Sequence, residues 1–201
     1  MKKISLLLTL IVSFGINAQI STYQTNNSGG YSSAIGAFTT ASGHTSTAMG
    51  YDSTASGDIS TAMGSYSTAS GTVSTAMGRG TIASGDISTA MGDYSTASGN
   101  NSTAMGYSAE ASGEGSTAMG YNPTASGIAS IAMGYYTRAR GDYSTAMGIE
   151  TTASGTVSTA MGYWTTASDR SSLVIGEYNL TGSTVTSSAD QFSLDNTAFV
   201  I

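Results

Sequence analysis

The chain has no cysteine, a single proline, a single histidine and a single tryptophan, and only 9% of its 201 residues are charged. Without cysteine there are no disulfides, no thiol nucleophile and no lipidated N-terminal cysteine. Large apolar side chains are also scarce beyond the first twenty residues: the 39% counted as hydrophobic is mostly alanine, methionine and tyrosine. Such a composition cannot fill the thick core that a large enzyme fold needs. Catalytic patterns are missing as well. There is no Gly-x-Ser-x-Gly elbow and no phosphate loop, and the carboxylates are scattered rather than paired. The residues therefore argue against an enzyme and call for no cofactor and no metal.

What the chain has in excess is glycine, 26 residues, set at fixed intervals. One series runs Gly36, Gly50, Gly64, Gly78 and onward to Gly176, always fourteen apart. A second lies seven residues on, from Gly43 to Gly155, and gives way to Asp169 in the last unit. Each unit is two half-units, as in "STAMGYDSTASGDI" from Ser46 to Ile59. A helix would lose about 1 kcal/mol per glycine, and collagen needs glycine at every third position. Short strands separated by glycine turns fit instead. The spacing predicts an all-β parallel solenoid of 14-residue coils, two short strands per coil, rising about 4.8 Å per coil.

Side-chain alternation along a strand assigns faces. In the "TAS" half, the columns beside alanine admit Ile82, Glu110, Arg138 and Arg140, so the alanines from Ala41 to Ala167 are expected to point inward. In the "STAM" half no column admits a charge, and both faces of that strand read as buried. Ordering fourteen residues costs roughly 14 to 28 kcal/mol of backbone entropy, far more than one methionine and two alanines return, so coils must stack and chains must associate. The small Ser/Ala face is the expected surface of self-association.

Residues 1–18, MKKISLLLTLIVSFGINA, read as a signal peptide: Lys2 and Lys3, an apolar run from Ile4 to Ile16, then Ala18. Its removal leaves four arginines against twelve carboxylates, a net charge of −8. Nucleic acid is a poor partner for that surface. Residues 19–30 read as an N-terminal linker, 31–176 as the repeat roll, and 177–201 as a continuation in which "LVIG" is followed by a restart, "TAFVI", one residue short of its expected glycine.

Units such as "STAMGYDSTASG" and "NSTAMGYSAEASG" resemble the head repeats of trimeric autotransporter adhesins, the YadA-like heads, whose motif has the form Ser-x-Ala-Ile-Gly-x-x-Ser/Ala. The likeness runs from about Ser32 to Gly176. It implies a left-handed parallel β-roll that exists only as an intertwined homotrimer. It also implies an exported head, at the cell surface, in the outer membrane or outside the cell, that attaches to extracellular matrix, to a glycan or other cell-surface ligand, or to abiotic surfaces. No heptad-patterned stalk and no barrel strands follow the repeats, so membrane attachment is expected only through an anchor that this sequence does not contain.

Aromatic residues gather just after the "AMG" glycine: Tyr51, Tyr66, Tyr94, Tyr107, Tyr121, Tyr135, Tyr136, Tyr163 and Trp164. This stripe is the candidate contact surface, the alternative being that the rings cover turn backbone and stack between coils. Arg140, Gly141 and Asp142 form the tripeptide that integrins recognise, though "SGD" at Ser56 to Asp58 and Ser84 to Asp86 shows that one Ser-to-Arg change creates it. His44 stands in a variable turn column and reads as solvated. The ladder Thr54 with Ser56, Thr68 with Ser70, Thr96 with Ser98 and Thr152 with Ser154 suggests ice binding as another function, against which stand the interruptions at Ile82, Glu110, Pro123, Arg138 and Arg140. A spacer in a larger surface fibre is the third reading.

Overall fold

In a computed structural model, which describes residues 23–178 and the backbone of Phe199–Val200, every fourteen-residue unit forms one five-residue strand and one two-residue strand. The long strands begin at Ser33–Ala37, continue through Thr47–Tyr51, Thr61–Ser65 and their successors, and reach Leu173–Glu177. The short strands alternate with them, from Thr40–Ala41 to Thr166–Ala167. Long strands pair only with long, and short only with short, giving two parallel sheets. The register is the repeat itself: Thr89 lies beside Thr103, Ala90 beside Ala104, Met91 beside Met105 and Gly92 beside Gly106. No helix occurs among the described residues, so none crosses a membrane.

The roll begins earlier than the composition indicates. Tyr23 bridges Ala37, and Asn26–Asn27 pairs with Thr40–Ala41, so the segment read as a linker supplies the first half-coil. At the far end Phe199–Val200 pairs with Leu173–Val174 in the register of the restarted motif. The signal peptide expected at residues 1–18 lies outside the described residues.

The interior is narrow. Ala48, Ala62 and their equivalents in the long strands, and Ala55, Ala69 and theirs in the short ones, are 0% exposed. The serines that open each half-unit, such as Ser46 and Ser53, lie beside them and are buried too. This corrects the expected association surface. The Ser/Ala face fills the inside of a single chain and is not available to a partner. The face left outside is the other one: the threonines and methionines of the long strands remain half-exposed, with Met119 at 37%. Physical size decides this, because two strands drawn close enough to close a fourteen-residue coil leave room for small side chains, serine and alanine in most coils and threonine at Thr39, Thr81, Thr137, Thr151 and Thr165, but not for methionine.

Candidate functional surface

Each coil has two corners, and they share one feature. Two residues after either glycine the backbone enters the left-handed region, with φ between 47° and 60° at the non-glycine positions. That conformation is strained for β-branched residues such as Ile59, Val73 and Ile87. A hydrogen bond to the preceding coil offsets the strain: the Ile59 amide donates to the His44 carbonyl at 2.7 Å, and the Tyr66 amide to the Tyr51 carbonyl at 2.9 Å. The corners are thus stacked ladders whose side chains must point outward, and this is why variable residues collect there.

The corner after the "AMG" glycine carries the aromatic stripe. Tyr51, Tyr107, Tyr121, Tyr135 and Tyr163 are the last residues of their long strands, and Tyr66, Tyr94, Tyr136 and Trp164 occupy the left-handed position. The rings form separate clusters. Tyr51 meets Tyr66 edge-on, with centroids 5.5 Å apart. Tyr107, Tyr121 and Tyr135 stack nearly parallel at 4.8 Å and 5.1 Å, with Tyr136 packed against the last at 4.6 Å. A third group gathers around Tyr163, with Trp164 at 6.3 Å and Tyr178 at 5.1 Å. Stacking and exposure coexist here, since Tyr107 and Tyr121 remain 41% and 42% exposed. Tyr23, Phe38 and Tyr178 extend the row, although composition alone did not single them out. Phe38 and Tyr178 stand two residues after Gly36 and Gly176, so column alignment would have found both.

Between the first two clusters the corner holds charge. Arg79 donates two hydrogen bonds to Asp93, at 2.7 Å and 2.5 Å, and its guanidinium lies 5.2 Å over the Tyr94 ring. Gly80 makes room for that ring, since a Cβ there would come within 2.7 Å of Tyr94 Cδ1. The paired guanidinium holds the Asp93 carboxyl below its usual range. A depressed carboxyl contributes stability above its unfolded titration and loses it as pH falls, but a pair this exposed contributes little.

Within the tyrosine stack, burial of the Tyr121 phenol, followed by the charges of Tyr136, Tyr107 and Tyr135, raises it above the usual 10.0. A raised phenol leaves stability intact below its unfolded pKa and removes it as pH climbs through the folded value. Alkali strong enough to ionise this phenol is therefore expected to weaken the head. A spectrophotometric phenolate titration of the folded chain should show a late-ionising fraction that Tyr121→Phe diminishes and denaturant abolishes.

The opposite corner holds the Arg140, Gly141, Asp142 tripeptide. Gly141 is buried against the next coil, where a Cβ would collide with the Gly155 carbonyl, and the Asp142 carboxylate accepts the Ile128 amide at 2.9 Å. Asp58 and Asp86 do the same for the amides of His44 and Thr72. The aspartate of "SGD" and of "RGD" thus has one structural task, tying a turn to the coil before it. Asp142→Asn keeps an acceptor and should leave the melting temperature nearly unchanged. Asp142→Ala removes the acceptor and should lower it by about 2–4 °C, measured by circular dichroism. Among the described residues no cluster of three or more His, Cys, Asp or Glu side chains is placed to hold a metal ion.

Fold and surface together define a class: a repeat protein of stacked parallel coils with a narrow interior of small residues and two corners free to vary. The family model described as "YadA head domain repeat (2 copies)" matches residues 28–53, 41–67, 69–95, 97–122, 125–151 and 153–177. The chain belongs to the YadA head family, whose members are adhesin heads. No curated protein matches the sequence.

Proposed function

We propose that the chain is a non-catalytic, exported head that assembles as a homotrimer through its threonine and methionine face and attaches through its corners to extracellular matrix, to cell-surface protein or glycan, or to other surfaces. One observation carries this reading. Each long strand presents an uncharged outward pair, Thr47 with Met49, Thr75 with Met77, Thr103 with Met105 and so on, varied only by Ser33, Ile35, Ile131, Leu173 and Ile175. Eleven such strands in register make a continuous half-exposed apolar ribbon, far larger than a soluble single chain exposes without a partner. The corners, by contrast, vary from coil to coil, as recognition surfaces do. Membership in the YadA head family supports both halves of the proposal.

Light scattering on residues 19–201 tests the assembly, with circular dichroism on the same sample. A β-rich species of three times the chain mass is expected. A stable β-rich single chain would sink the trimer, and with it the reason for leaving methionines outside. Attachment is tested by coating beads with the assembled head and scoring retention on collagen, fibronectin, glycan and bare surfaces against uncoated beads.

A further inference from the structure

The Arg79 cluster shows what the aromatic corner holds well. Asp93 ends one long strand, Tyr94 follows it in the left-handed position, and Arg79, in register with Asp93 on the preceding coil, lies over the Tyr94 ring with both guanidinium hydrogen bonds on the carboxylate. The last described coil repeats the first two parts. Glu177 ends its strand, Tyr178 follows in the left-handed position, and the residue in register on the preceding coil is Tyr163. The carboxylate and the ring are present, and a second ring stands where the arginine would be.

More of the same chemistry surrounds this spot. Trp164, 49% exposed, lies 6.1 Å from Tyr178, which is 59% exposed, and the interplanar angle is 32°. Glu150 precedes Trp164 by one coil in the same corner column. Three rings and two carboxylates therefore share one end of the corner. Among the described residues, Arg79 is the only arginine or lysine in the two columns that form it. The Tyr178 phenol is raised chiefly by its hydrogen bond to Tyr163 and by burial, with smaller contributions from Tyr163, Glu177 and Glu150. A planar guanidinium suits such a place, since it stacks on aromatic faces and forks onto a carboxylate, whereas an ammonium is a compact, strongly hydrated point charge.

We propose that the corner of Tyr163, Trp164 and Tyr178, flanked by Glu150 and Glu177, binds the guanidinium of an arginine side chain on a partner protein, in the way that Asp93 and Tyr94 hold Arg79. This names the partner chemistry of the adhesive reading above and rests on it for its biological setting. The overall negative charge of the chain favours basic partners in the same direction.

Trp164 is the only tryptophan, so its fluorescence reports on this corner alone. The full chain is titrated with N-acetylarginine amide, with the neutral isostere N-acetylcitrulline amide and with N-acetyllysine amide, all at matched ionic strength. A saturable change with the arginine compound is expected, at least tenfold weaker with citrulline and several-fold weaker with lysine. Glu177→Gln, on an exposed side chain, should raise the half-saturation concentration at least threefold. No saturable response to arginine, or an equal response to citrulline, overturns the site, and an equal response to lysine overturns the guanidinium assignment. A head that fails to attach to any surface while still titrating with arginine would count against the adhesive reading alone.

Discussion

Met105→Glu is expected to break the assembled head into chains of single mass. Met105 sits in the middle of the methionine ribbon, in register between Met91 and Met119, and is only half-exposed even in an isolated chain. In the isolated chain a glutamate there reaches water and costs little. In a three-fold assembly the substitution puts three carboxylates on the faces that meet, away from any cation, at about 3–5 kcal/mol for each uncompensated buried charge. That exceeds what the association of one coil supplies, so the mass by light scattering should fall to that of one chain, with loss of β signal if the single chain cannot stand alone. Thr96→Glu is the control. Thr96 lies on the outer face of the short-strand sheet, in register with Glu110, where the chain already carries a carboxylate, and its mass should not change. Retention of a full-mass trimer by Met105→Glu would place the interface on some other face.

Most of the fold was legible because the sequence repeats. Fourteen-residue spacing set the coil, the two glycine columns marked its turns, and the tolerance of charge at Arg138 and Glu110 beside invariably small Ala139 and Ala111 identified the inward column of the short strands. The long strand was harder, because no charge marks its outer face. Pattern alone could not say whether methionine or serine faces inward, and the answer depends on a distance absent from the sequence, the gap between the two sheets of a coil. The left-handed corners were hidden for another reason. Glycine or asparagine usually signals that conformation, yet here Ile59, Val73, Ile87 and Trp164 adopt it, held by hydrogen bonds to the preceding coil. The aromatic row was visible as a stripe, but its division into clusters and the Arg79 pair within it depend on which rings lie in register.

Gly106→Ala, like alanine at the equivalent glycines of its column, is expected to destabilise the roll strongly. Gly106 has φ at 130°, a region that side chains of L-residues rarely adopt, and a Cβ built on it would overlap the carbonyl oxygen of Gly120 on the next coil. The obstacle is backbone, and it belongs to the parallel ladder in which Gly106 and Gly120 are partners, so it cannot swing aside as a side chain would. Relief requires the two coils to separate, which breaks hydrogen bonds in the long-strand sheet and opens the alanine interior on both sides. Strain and lost pairing together should exceed about 3 kcal/mol per chain. Because each coil touches only its neighbours, the damage should divide the stack at that point. Gly176→Ala separates the two causes: its φ is 135°, so the conformational strain is the same, but among the described residues nothing lies within 4 Å of the added Cβ. Thermal unfolding followed by circular dichroism should therefore show a large loss for Gly106→Ala and a clearly smaller one for Gly176→Ala. Equal losses would mean that backbone conformation alone, and not the closeness of the coils, keeps glycine in that column.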